Sequence, residues 1–231
     1  MVESSATRFR FHFDLTVRTG LLEASYDKNP PNKIGEFQLD TQLTNEYVKV
    51  YFSISKRKVV IIHRGTGSLP DWRFNLVYGL NSNAYNLTSR YKNSKNIQKK
   101  TQEKYRGYKI KTLGHSQGAL LAHKLGEKSH SIIELNPAYK GERQLKNEYI
   151  IRSSLDPVSA LKAPINSINK VLYPSYTRKH NITIPAKTMN PLTEHSIDIL
   201  NRLPQDKFIG TAGSFYKKNK KYVIESEFPF D

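Results

Sequence analysis

Cysteine is absent from the 231 residues, which excludes disulfides, zinc–thiolate sites and a thiol nucleophile and fits a reducing compartment. Long apolar runs are missing too. No segment approaches the roughly 20 residues that cross a bilayer, and Met1-Val2-Glu3-Ser4-Ser5 has neither the basic nor the apolar region of an export signal. A cytoplasmic setting, or a virion-associated one if the source is viral, is therefore expected, and the sequons at Asn86 and Asn181 are read as chance matches. Acidic residues are scarce, 20 against 37 Lys and Arg, so the formal net charge is +17. Hydrophobic residues make up only 37% of the chain, but 14 Tyr and 10 Phe supply aromatic area for a core.

The length suits one domain better than two. Residues 1–45 read as an N-terminal decoration, 171–190 as a hairpin-like insertion and 205–231 as a basic C-terminal extension. The basic excess acts at long range on anions. Lysines and arginines recur at Arg90, Lys92, Lys95, Lys99, Lys100, Lys104 and Arg106, a pattern that a solvated helix face would also produce. Peripheral contact with an anionic membrane is the first expectation for this charge, and nucleic acid the second.

Along the chain, Phe9, Phe11 and Phe13 alternate as one strand face, and Leu21–Tyr26 reads as a short helix. Tyr47–Ile54 and Val59–Ile62 form a hairpin whose second strand is buried on both faces. That strand runs into His63-Arg64-Gly65-Thr66-Gly67-Ser68, a loop able to present backbone N–H groups to an anion; Asp71 then caps a further helix beside the single Trp72. Residues 84–106 are expected as a long basic helix. Strands at Tyr108–Leu113, Ser131–Leu135 and Tyr149–Ser154 follow, separated by helical segments, so an α/β fold with a largely parallel sheet is expected. Val171–Tyr173 and Ile182–Ile184 suggest a hairpin, and a helix starts near Thr193.

Gly114-His115-Ser116-Gln117-Gly118 sits between a β-type run and an apolar helical run, the layout of a nucleophile elbow. Ser116 is the candidate nucleophile. A serine hydroxyl needs a base, and the base needs an acid behind it. In this class of site the acid follows the serine and the base comes last. His123 lies on the elbow helix, His130 in the loop beside it and His180 after a basic turn, which leaves His195 as the base. Asp156, at the end of a β run, is the preferred acid over Glu134, one strand too early, and Asp198, on the same helix as His195. The oxyanion is expected between the backbone N–H groups of Gln117 and Thr66, and His63 and His115 are read as packing or hydrogen-bonding residues. No cofactor or metal is expected.

His63-Arg64-Gly65-Thr66 with Asp71-Trp72, then the elbow, Leu135-Asn136-Pro137-Ala138, Asp156-Pro157-Val158 and His195 together resemble the class 3 lipases over about residues 20–200. The pattern is more similar still to the short, cysteine-free lipase-like proteins of some large DNA viruses and their relatives. The resemblance implies an α/β-hydrolase fold, with a mostly parallel central sheet and helices on both faces. It also implies that Thr66, Ser116, Asp156 and His195 carry the roles of oxyanion donor, nucleophile, acid and base, with a lipid or phospholipid ester as substrate. Fungal members are secreted, disulfide-bonded and covered by an apolar helical lid; Gly67–Leu80 is short and polar, so a short or absent lid is expected. A binding or structural protein that keeps the fold, and a protease or thioesterase with the same three residues, are the alternatives.

Overall fold

The computed structural model describes residues 9–11, 15–66, 85–138, 145–156, 181–184, 186–202, 208–210, 215–217 and 220–224. Its elements in chain order are β1 (Phe9–Phe11), α1 (Leu15–Ala24), β2 (Lys33–Ile34), β3 (Phe37–Leu39), β4 (Val48–Ser53), β5 (Lys58–His63), α2 (Ser89–Lys104), β6 (Lys109–His115), α3 (Gln117–Leu125), β7 (Ser131–Leu135) and β8 (Glu148–Ser153). β9 (Asn181–Ile184), α4 (Pro191–His195), a 3-10 helix (Ile197–Arg202), β10 (Phe208–Gly210), β11 (Phe215–Lys217) and β12 (Lys220–Ile224) complete them.

A ten-stranded mixed sheet, ordered β11-β12-β9-β8-β7-β6-β5-β4-β3-β2, organises the molecule. Its middle strands, β5 to β9, are mutually parallel, and β4 pairs antiparallel with β5 as the expected hairpin. β5 is central for a physical reason: Val59, Val60, Ile61 and Ile62 are all buried, so only a position covered on both faces can take them. Val60 and Ile62 join Leu113, Ile133 and Ile151 under α1 and the 3-10 helix. Val59, Ile61 and Ile110 pack on the other face with Ile97 and Tyr105 from the α2 region. Helices thus cover both faces, as an α/β sheet requires.

Two expectations are corrected. Asn181–Ile184 does not stand outside the sheet as part of a hairpin decoration; it pairs parallel with β8 and antiparallel with β12, extending the main sheet. The C-terminal region contributes β11 and β12 to that same sheet, and β10 pairs with β1. A four-residue β-type run carries no signal of its partner, which is chosen by long-range pairing. The expected strand at 171–173, the Asp71 cap, Trp72 and the lid segment 67–80 lie outside the described residues.

Candidate active site

β6 delivers the chain to Ser116 and α3 carries it away. Ser116 has φ 55° and ψ −122°, a region costly for any residue with a side chain. Surrounding bonds hold it there: its N–H donates to the Leu135 carbonyl (3.0 Å), and its own carbonyl accepts from Ala119 and Ala138 N–H (3.1 Å each). The flanking glycines permit the crossing. A Cβ on Gly118 would lie 2.1 Å from the His63 carbonyl oxygen, and one on Gly114 would lie 2.3 Å from that of Gly118.

The carboxyl ends of the parallel strands bring three of the expected residues together. The Ser116 hydroxyl donates to His195 Nε2 (2.8 Å), and His195 Nδ1–H donates to Asp156 Oδ1 (3.0 Å). The carboxylate can only accept, so Nδ1 carries the ring proton and Nε2 is left as the acceptor facing serine. All three are buried, with 4%, 9% and 2% of Ser116, His195 and Asp156 exposed, which keeps bulk water from competing for these bonds. His195 closes the short helix α4 instead of opening a longer one. Asn190 caps α4 by accepting from Leu192 N–H (3.0 Å).

Asn136 and Glu194 fix the His195 backbone. Asn136, at φ 44°, donates through Nδ2 to the carbonyls of Glu194 (3.0 Å) and Ser196 (3.3 Å), while its Oδ1 accepts from Ser153 N–H (3.1 Å). Glu194 is fully buried and accepts from Arg202 Nη1 (2.6 Å), the Ser153 hydroxyl and the backbone N–H groups of Lys187 (3.1 Å) and Thr188 (3.0 Å). Burial pushes its carboxyl up, but these donors outweigh burial and hold it at about 2.

A second chain of bonds runs beneath the serine. Burial, then the neighbouring His195, hold His115 down at about 3, so the ring is neutral. Its Nε2–H donates to the His195 carbonyl (2.8 Å), and its Nδ1 accepts from the Tyr26 hydroxyl (2.6 Å). That hydroxyl, pushed up to about 12 by burial, accepts in turn from Gly65 N–H (2.8 Å). The loop after β5 and the His195 backbone are thus tied together through Tyr26, in the turn after α1. Tyr26→Phe leaves Gly65 N–H and His115 Nδ1 without this partner, and a loss of about 1–3 kcal/mol is expected, read as a lower midpoint in urea unfolding.

The side on which the sequence places the oxyanion is built from the loop after β5 and the start of α3. Thr66 Oγ1 donates to Gln117 Oε1 (3.3 Å), and Gln117 is the first residue of α3, where N–H groups have no carbonyl partner within the helix. Arg90 holds this side together. It donates to Gln117 Oε1 (2.8 Å) and to the Arg64 carbonyl, and its guanidinium lies 5.4 Å from the Tyr47 ring centre. The sequence groups Arg90 with the basic face of α2, yet this one side chain turns inward. Lys104 likewise pairs with buried Asp40 (2.7 Å). Arg90→Ala is expected to lower turnover on a soluble ester by about 10²-fold through misplacement of Gln117. Steady-state kinetics with the fold checked by circular dichroism would show it, and an unchanged kcat would refute it.

The remaining histidines and acids fall elsewhere. His63 is fully buried, and burial followed by Arg90 holds it down at about 3. His123 Nδ1 lies 2.7 Å from Glu148 Oε1 and 3.9 Å from Glu134 Oε1, in a buried group on α3, β7 and β8. Among the described residues this is the group whose donor atoms, all within 4.8 Å, could hold a metal ion. His130 is exposed, and Asp198 accepts from the Ser196 hydroxyl (2.8 Å); His180 lies outside the described residues.

By fold the chain is an α/β protein with a mixed, centrally parallel sheet, and its candidate site lies at the carboxyl edge of that sheet. Similar solved structures are lipases. A native Rhizomucor miehei lipase propeptide complex shares 16% identity over 67% of this chain and 63% of that one, with a TM-score of 0.46. Lip2 lipase from Yarrowia lipolytica shares 14% over 74% and 77%, with a TM-score of 0.43. A fungal lipase–inhibitor complex shares 18% over 53% and 60%, with a TM-score of 0.38. The chain therefore spans less than two thirds of the length of the Rhizomucor lipase and of the fungal lipase in the inhibitor complex. No protein-family model and no curated protein matches it.

Proposed function

We propose that the protein is a serine hydrolase of carboxylic esters acting on lipids, either a lipase or a phospholipase. The observation that carries the reading is the continuous hydrogen-bonded chain from Ser116 through His195 to Asp156. Ser116 Oγ attacks the acyl carbon as its proton passes to His195 Nε2, and the Asp156 carboxylate stabilises the resulting imidazolium. The backbone N–H groups of Gln117 and Thr66 stabilise the oxyanion. His195 returns the proton to the departing alkoxide, leaving an acyl group on Ser116. Water then gives a proton to His195 and attacks the acyl carbon, and the proton goes back to Ser116 as the carboxylic acid leaves.

Exposed apolar side chains support a lipid ester as substrate. Leu155 adjoins Asp156 in the chain and Leu192 shares α4 with His195, and both are exposed and apolar. A fluorophosphonate probe tests the reading: covalent labelling is expected at Ser116, located by peptide mass spectrometry. Folded protein that stays unlabelled in detergent would overturn it.

A further inference from the structure

Ser116 and a compact group of cations lie at opposite ends of the sheet. β5, β6 and β7 are parallel, so their first residues share one edge, and six or seven residues at about 3.3 Å each place that edge about 20 Å from the serine. At that edge Lys58 and Lys109 are register partners, which puts them on one face, and Lys111, two residues on, returns to the same face opposite Ser131. Beside them, partial burial and then Lys109, Lys111 and Lys58 hold the His130 ring below the ordinary histidine range. Arg57 adjoins them, its carbonyl accepting from Lys109 N–H (2.8 Å) and its backbone at φ 48°, where glycine or asparagine would be less costly. Lys56 in the same turn pairs with Glu36, but among the described residues neither Lys58 nor Lys109 forms an ion pair with a carboxylate.

We propose that Lys58, Lys109 and Lys111, flanked by Arg57, form a docking surface for the phosphate backbone of nucleic acid. The position decides between polyanions. Exposed Leu155 adjoins Asp156 in the chain and exposed Leu192 shares α4 with His195, at the other end, although exposed Ile54 lies in the turn before Lys58. A membrane held by the lysine edge would turn Ser116 away from the lipid, whereas a nucleic-acid strand there leaves the site open. Phosphate contacts need cations without apolar insertion, and the net charge of +17 draws such a partner in at long range. The choice of nucleic acid over a membrane rests on the lipid-ester reading of the Ser116 site, whereas the lysine edge itself does not.

Fluorescence anisotropy of the full chain with a labelled mixed-sequence 20-bp duplex, between 50 and 200 mM NaCl, tests it. Binding at 50 mM that weakens with salt is expected. K58E/K109E should weaken it at least tenfold and reduce the slope of log K against log salt by about 2, since each phosphate contact contributes about 0.9. K92E/K95E, on the exposed face of α2 across the sheet, should cost less than threefold. If the double variant fails to fold, the exposed single change K109A reads the same effect at about half the slope. Absence of duplex binding, equal losses in the two double variants, or K109-dependent retention on phosphatidylserine vesicles in place of DNA overturns the proposal. Turnover of p-nitrophenyl butyrate in the same samples reads the hydrolase site separately, so either proposal can fail alone.

Discussion

Ser116→Ala is expected to lower ester turnover by about 10⁴-fold or more, with fluorophosphonate labelling lost in parallel. The size follows from the proposed role: without the oxygen no acyl-enzyme forms, and only oxyanion stabilisation and positioning remain. Ser116→Gly should show a second, opposite effect. The backbone at φ 55° costs a residue with a side chain about 1–3 kcal/mol, and glycine largely escapes that cost. The glycine variant is therefore expected to be inactive yet to melt at a higher temperature than the wild type. An inactive variant that melts lower would argue that the serine hydroxyl stabilises the fold by more than the turn strains it. Residual activity within tenfold of wild type in either variant would remove Ser116 from the chemistry.

Glu194→Ala is expected to cost about 3–5 kcal/mol of stability, because it leaves the Arg202 guanidinium buried beside the site without its carboxylate. Urea unfolding measures that loss. Turnover should fall with it, since the Glu194 side chain anchors the segment that carries His195. The double change Glu194→Met with Arg202→Met should recover much of the stability, as burying two apolar side chains avoids the stranded charge. The pH dependence has a definite sign. The folded carboxyl titrates at about 2 against an ordinary 4.5, so the native state holds its charge more strongly than the unfolded chain. Its contribution is complete above about pH 4.5 and is lost as pH falls toward 2. The stability gap between wild type and Glu194→Ala should be flat near neutrality and narrow below pH 4.5; a gap that widens with acid would refute the assignment.

The elbow was legible in the sequence because its constraint is local. Gly114 and Gly118 are dictated by backbone atoms within a few residues of Ser116 or on the adjoining strand, and the β-type and helical runs on either side come from periodicity alone. Asp156 was legible from the β run it ends, and His195 was reached by elimination and chain order; the hydrogen bonds of His195 to Asp156 (3.0 Å) and Ser116 (2.8 Å) bring both to the serine. Arg90 was not legible. Its neighbours Lys92 and Lys95 are exposed as a charged helix predicts, and nothing in the composition of α2 distinguishes Arg90, whose guanidinium turns inward, from them.

The partners of Tyr26, His115, Asn136 and Glu194 were not legible either, although His115 was expected to pack or hydrogen-bond and Asn136 stood in the Leu135–Ala138 motif. Each acts through a partner 39 to 89 residues away, and such a pairing leaves no mark on local patterning. The same holds for β9, whose place beside β8 depends on long-range strand pairing. Residue types, the central buried strand and the glycine-framed serine were determined by the sequence itself, through sterics and hydrophobic periodicity acting over a few residues. The tertiary structure alone decided which buried polar groups meet, and that the lysines of β5 and β6 gather at the end of the sheet away from Ser116. The reason is physical: desolvation favours pairing of buried polar atoms, and the parallel register sets which atoms are within reach.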